Sequence, residues 1–268
     1  MTKILVTGGN GMLATYTTKA AVEAGVEVIS VPRDKMDISS LADVIRVLPK
    51  NRPDVIINCA GMTKGDNVQQ MIRSNALGPH ILYSVCKSLN IRMIQQSTDC
   101  VFDGLMGYYS EDCHTSPIDT YGYAKALGEV GDLIVRSSFV GFESGLLKWL
   151  VTNVNTKIPG YAGYLWNGLS VIQMGRILIN LSLNFSRNGV IHVFGNVQSK
   201  YQLLESVAGS LGLSVIIVPE YNIKINRVLA TNSVKISVPS WHIMLEELVS
   251  DYYYNTSRPK TPSQAMVR

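Results

Sequence analysis

Tyr121 and Lys125 stand four residues apart in "YGYAK", a spacing that puts a phenol and an ammonium on one face of a helix. An ammonium beside a phenol favours phenolate and can also hold a ribose, so such a pair can give or take a proton near neutral pH. Upstream, "STDCVFDG" offers the Ser97 and Thr98 hydroxyls at what reads as a strand end. Near the start, Gly8, Gly11 and Ala14 follow the apolar run "KILVT" at a GxxGxxA spacing. Gly8 suits a tight turn, Gly11 lets the backbone approach a pyrophosphate, and Ala14 allows close helix-strand packing, with the helix N-terminus toward the negative charge. The glycines alone fit any tight strand-to-helix turn. The end of the second strand, "SVPRDKMDIS", is where the 2′ position of an adenosine ribose is read. It offers Arg33, which favours NADP, and then Asp34, which leaves NAD open; a solvated loop arginine is the plainer reading.

These residues need a scaffold that brings them to one edge. "KILVT", a helical pattern through Ala24 and "VEVISV" make a β-α-β unit. The alternation continues with a helix over 39–49, the strand "DVIIN" at 54–58, a long helix from 66 to 89 and the strand "RMIQQS" ending near Ser97. A glycine-rich loop over 103–109, a helix starting near Pro117 and the strand "DLIVRSS" follow. Alternation of this kind predicts an α/β fold, a doubly wound parallel sheet of the Rossmann type covered on both faces. In such a sheet, ligands sit at the carboxyl edge of the strands.

Beyond Phe139 the alternation weakens: helices over 146–153, 171–184 and 198–211, the strand "VIHVFG" and the stretch "IPGYAGYLWNGLS". The expected organisation is a dinucleotide-binding domain over 1–140, to which a strand near 190–195 returns, and a smaller, mainly substrate-binding lobe over 141–268. The polar segment from Thr256 is expected to fray or lie along the surface.

Bulk composition narrows the class. The chain has 268 residues, 46% hydrophobic and 16% charged, enough for a substantial core and unlike a disordered chain. A net charge of +4 without a basic block argues against a nucleic-acid surface but suits an anionic small ligand. Cys59, Cys86, Cys100 and Cys113 form no CxxC pair, and neither a signal peptide nor a membrane-spanning run is evident, which points to a reducing cytoplasm. His80, His114, His192 and His242 fall into no ligand spacing, so no metal is expected.

"TGGNGMLA", "MDIS", "PDVIINCAG", "SNALGP", "STDCVFDG", "YGYAK" and "IVRSS" occur here in one order. In that order the chain resembles the extended short-chain dehydrogenase/reductases, and within them the dTDP-4-dehydrorhamnose reductase branch, over residues 3–140 and more faintly at "NGLS" and "INRVL". The resemblance implies NADPH as cofactor, with NADH open, and reduction at C4 of a nucleotide-linked 4-keto-6-deoxy sugar. It gives Thr98 the keto oxygen, Tyr121 the proton, and Lys125 the nicotinamide ribose and the tuning of Tyr121. Gly8, Gly11, Met12 and Leu13 would cradle the pyrophosphate; Asp37 and Ile38 would lie by the adenine, and Cys59, Ala60 and Gly61 by the cofactor ribose. Arg136 to Ser138, Ser138 among the cofactor contacts, would close the nicotinamide side. A nucleotide sugar is the expected partner, no nucleic acid or membrane is, and a homodimer is left open.

Departures from the branch bear on the sugar. "CAGMTKGDNVQQ" lacks the acidic residues usual after the third strand, Cys100 replaces a tyrosine, and Phe139 replaces a tryptophan. Cys100 matches the epimerising cysteine of the GDP-fucose synthase type, so a bifunctional 3,5-epimerase/4-reductase is one alternative; packing in the pocket wall is the plainer reading. A non-catalytic NAD(P)-binding regulatory subunit is another. Trp149 and Trp241 read as packing. Tyr161, Tyr164, Trp166 and Asn167 suit a nucleotide base, or equally the packing of an irregular loop. Arg227 reads as a diphosphate clamp or a surface salt bridge.

Overall fold

The structure, a computed structural model, describes residues 2–63 and 67–257. It opens with β1 (Lys3–Thr7), α1 (Met12–Glu23), β2 (Glu27–Val31), α2 (Leu41–Asn51) and β3 (Val55–Asn58). Next come α3 (Val68–Ile72), a π-helical turn (Arg73–Leu77), α4 (Gly78–Ser88), β4 (Arg92–Thr98), α5 (Thr120–Leu127) and β5 (Leu133–Ser137). The single helix expected over 66–89 is thus three pieces; Lys64 to Asp66 lie outside the described residues. The helix expected from Pro117 starts at Thr120, because the Asp119 carboxylate accepts from the Gly122 N–H at 2.7 Å and caps it there.

Five of these strands join β10 (Gly189–His192) in a six-stranded sheet of order β10-β5-β4-β3-β1-β2, every pair parallel. The strand order reverses between β1 and β3, and there the loops leaving the carboxyl ends part to opposite faces. Strand periodicity builds two cores: Ile4, Val6, Ile57 and Ile94 face α1 and α7 (Val171–Asn184), while Leu5, Ile56 and Met93 face α2 and α4. On the first face α7 crosses α1 so closely that a Cβ on Gly175 would lie 2.7 Å from the Tyr16 carbonyl carbon.

The remaining chain forms small sheets beside the carboxyl edge. β6 (Phe139–Val140) pairs with β9 (Leu169–Ser170), and β7 (Lys157–Tyr161) with β12 (Ile216–Glu220). β8 (Tyr164–Trp166) lies between β11 (Gln198–Ser199) and β13 (Ile225–Asn226). Three helices complete it: α6 (Gly145–Thr152), α8 (Lys200–Leu211) and α9 (Trp241–Ser257). Thr256 and Ser257 belong to α9, and the rest of the segment expected to fray lies outside the described residues. No helix among the described residues is long and apolar enough to cross a membrane.

Candidate active site

The turn after β1 is built for close approach. Gly8 has φ +71°, and a Cβ there would stand 2.9 Å from the Ala60 Cα, so only glycine fits. Gly11 precedes α1 without a side chain to cap it, and the first turn carries no acidic residue. The first N–H groups of α1 are therefore open to an anion. Beside the turn lies a cleft of about 760 Å³ whose walls include Arg33, Asp37, Ile38, Ala60 and Gly61. Arg33 bonds Asp37 at 3.1 Å, and this pair together with Ser39 holds the Asp37 carboxyl below its usual range against its burial.

A second cleft, of about 460 Å³, continues from the first, since Ala60, Gly61 and Met62 line both. Met12, Leu13, Cys59, Thr98, Tyr121 and Lys125 line it, as do Cys100, Ser138 and Phe139. A dinucleotide fits this layout: an extended cleft across the strand-order reversal, an uncapped helix at its centre, and glycine where a side chain would block it.

Each group at the closed end has a local reason for its place. Thr98 ends β4, and its Oγ1 accepts from the Cys100 N–H at 3.2 Å, starting a single 3₁₀ turn over Asp99–Val101. Tyr121 is half-buried, within a hydrogen bond of Thr98; burial raises its phenol above the ordinary value, with Cys100 and Asp99 adding to the rise. Lys125 is 7% exposed and donates to the Gln96 carbonyl at 2.7 Å. Burial draws its ammonium down to about 8, against the pull of Glu129 and Cys59. Burial is thus the largest influence on the phenol, with Cys100, Thr98 and Asp99 after it.

On the lobe side, Arg227 donates to Cys100 Sγ at 3.0 Å and to Tyr164 Oη at 3.3 Å, and Lys200 lies 4.2 Å over Trp166 and 5.4 Å over Tyr164. The Asp99 carboxyl is raised by burial, with Lys200 and Arg227 opposing. Burial and Asp99 push the Cys100 thiol up to about 12.

The β1-to-β5 half that carries Thr98, Tyr121 and Lys125, residues 1–139, matches the family model described as the RmlD substrate binding domain. The chain belongs to that family. It is 35% identical over 132 residues to a dTDP-4-keto-6-deoxy-D-glucose reductase of Streptomyces niveus, a match covering 47% of this chain and 45% of the relative. It is also 35% identical over 130 residues to a dTDP-4-dehydrorhamnose reductase of Streptomyces griseus, covering 47% and 43%. The matches span about half the length of these curated relatives. Among solved structures, a dTDP-4-dehydrorhamnose reductase of Bacillus anthracis in complex with NADP shares the fold at TM-score 0.85 and 21% identity, over 94% of this chain and all of that one. A hypothetical dTDP-4-dehydrorhamnose reductase from Sulfolobus tokodaii has TM-score 0.75 and 26% identity, over 85% and 91%.

In this RmlD-family chain, two residues on the lobe side take the packing alternative. Trp166 is 1% exposed, with Trp241 against it edge-on and Lys200 over its ring, so no face is open to a base. Asn167 donates to the Leu229 carbonyl and accepts from the Leu229 N–H, which uses its amide to join two segments. Arg136 also turns inward, bonding Glu129 at 2.7 Å, and leaves Ser137 and Ser138 at the cleft. Three polar groups at the site escaped the sequence reading. Asn75, in the π turn, clamps the Met62 backbone by bonds of 2.9 and 2.7 Å. Gln96 seats Lys125, and Lys200 opens α8. The signal for Gln96 was present, as paired glutamines inside an otherwise apolar strand.

Proposed function

We propose that the chain is an NADPH-dependent reductase of a nucleotide-linked 4-keto-6-deoxy sugar, with NADH as the weaker cofactor. The observation that carries this is the convergence of Thr98, Tyr121 and Lys125 on a cleft continuous with the glycine turn. The printed names of the two Streptomyces relatives and the NADP complex of the Bacillus neighbour support it.

When bound, the dinucleotide supplies the hydride that reduces the sugar carbonyl. Gly8, Gly11, Met12 and Leu13 would hold its pyrophosphate, Arg33, Asp37 and Ile38 its adenosine end, and Cys59, Ala60, Gly61 and Ser138 its nicotinamide half. Lys125 gives one N–H to Gln96, leaving two donors for ribose hydroxyls. Tyr121, its phenol kept protonated by burial, gives its proton to the oxygen that develops at C4. Thr98 holds that oxygen beside the phenol, stabilising the charge as it forms. Cys100, Phe139 and Arg227 border the sugar, with Arg227 facing its diphosphate.

The structure does not favour epimerisation at Cys100. Its thiol is pushed up to about 12, and His192, the nearest downstream histidine, bonds the Tyr109 and Ala230 carbonyls through Nδ1. A cytoplasmic location is part of this proposal, in keeping with four free cysteines. The test is Tyr121→Phe, followed by NADPH oxidation with a dTDP-4-keto-6-deoxy sugar. Turnover should fall by roughly 10²–10⁴-fold with little change in dinucleotide affinity. Unchanged turnover would exclude Tyr121 as the acid, and no turnover in the unmutated protein with any keto sugar would favour the regulatory subunit.

A further inference from the structure

Three polar side chains cross the buried interior of the sheet in a single line. Thr7 and Asn58 end β1 and β3, Gln95 lies at the middle of β4, and strand register sets Thr7 beside Asn58 and Asn58 beside Gln95. All three are at most 1% exposed. The Thr7 hydroxyl donates to Asn58 Oδ1 at 2.5 Å, the Asn58 amide donates to Gln95 Oε1 at 2.7 Å, and the Gln95 amide donates to the Gln96 carbonyl at 2.9 Å. That carbonyl is the oxygen that receives Lys125 Nζ at 2.7 Å. At the other end, the Ala60 N–H bonds both Thr7 Oγ1 and Asn58 Oδ1, at 3.3 and 3.2 Å.

A buried amide costs stability unless it is bonded, and apolar side chains occupy the neighbouring layers of the same strands. Thr7, Asn58 and Gln95 donate in one direction, and the line ends on the Gln96 carbonyl, where the Gln95 amide and the Lys125 ammonium donate to one oxygen. We infer that Gln95 is a positioning residue for Lys125: it fixes the plane of the Gln96 peptide, and so the seat of the ammonium, and it ties that seat to the cleft wall at Ala60. The inference rests on the cofactor role proposed above for Lys125. Among the groups around the ammonium, Glu129 and Cys59 favour its charge, and Glu129 is itself committed to Arg136 and Ser97. The Gln96 carbonyl is therefore the acceptor that sets the direction in which the ammonium points.

The experiment replaces Gln95 by Met, which keeps the length and removes both bonds, and by His, whose neutral ring can accept from Asn58 and donate to Gln96. Two readouts are taken on the full chain. One is the Lys125 titration, from the ε-carbon resonance of labelled lysine assigned with Lys125→Arg. The other is the NADPH dissociation constant. Gln95→Met should lower the titration midpoint by at least about half a pH unit and weaken NADPH by about tenfold, while Gln95→His restores both toward the unmutated protein. An unmoved midpoint in a folded Gln95→Met protein overturns the inference, whatever the change in melting temperature. Should Gln95→Met not fold, Gln95→Ser, which keeps a hydroxyl for Asn58 but is too short to bond the Gln96 carbonyl as the amide does, is read in its place: a lowered midpoint supports the inference and an unmoved one overturns it. A lowered midpoint with unchanged NADPH affinity supports Gln95 as the positioning residue and removes Lys125 from the cofactor site.

Discussion

Lys125 keeps its charge inside the protein against a penalty, since burial draws its ammonium from 10.5 down to about 8. Below pH 8 both folded and unfolded chains carry the proton, and the penalty is whole. Between 8 and 10.5 the unfolded chain holds the proton more tightly, so this group's contribution to stability improves as pH rises. Lys125→Met should therefore be more stable than the parent at pH 7, by about 1–3 kcal/mol, with the gain fading toward pH 10.5. Urea unfolding across that range measures it, and NADPH-dependent turnover should vanish in the same variant. Arg33 belongs to the same scale. Its guanidinium lines the cleft beside the glycine turn and, among the described residues, bonds only Asp37. Arg33→Ala should weaken NADPH about tenfold or more and NADH little, because a charge-assisted bond to the 2′-phosphate is what distinguishes them. Equal losses for the two cofactors would remove Arg33 from that role.

Among the elements, α1 and α7 cross at close approach. Alanine is the better helix former by about 1 kcal/mol, yet at Gly175 its methyl would press on the backbone of Tyr16. Gly175→Ala should cost about 1–3 kcal/mol overall, read as a lower urea midpoint with an unchanged slope. A neutral or stabilising result would mean the two helices can separate freely. The sequence was a good guide to these elements where hydrophobic period and turn residues agreed, as in β1, α1 and β3. It misplaced the start of α5 by weighing Pro117 above the capping carboxylate of Asp119. It missed the π turn because the extra residue leaves the hydrophobic pattern nearly intact, while what it supports, the clamp of Asn75 on Met62, lies between distant segments.

At the scale of the whole molecule, His192 joins three regions. It sits on β10, and its ring reaches the loop at Tyr109, the segment at Ala230 and the guanidinium of Arg136. Burial lowers its pKa from 6.5, with Arg136 acting in the same sense and Glu111 against it. The unfolded chain thus binds this proton first as pH falls, and stability is lost from about 6.5 downward. Unfolding free energy should decline from pH 7 to 5, and His192→Asn should flatten that decline. A slope that survives the substitution would place the acid sensitivity elsewhere. Asp37, Asp103 and Glu111, whose carboxyls are held low, add their losses only at more acid pH.

The residues alone determined the parallel sheet, the glycine turn and the pairing of Tyr121 with Lys125, because each follows from local spacing: a period of two or four, or a glycine at a strand end. Only the tertiary structure decided what the buried polar groups do. It spent Asn167 on Leu229 and closed Trp166 beneath Lys200, where the sequence left a nucleotide base and loop packing as equal readings. It also lined up Thr7, Asn58 and Gln95, from three separate strands, on the carbonyl that seats Lys125. A hydrogen bond between distant segments depends on the register and direction of both partners, and neither is written in the neighbourhood of either residue.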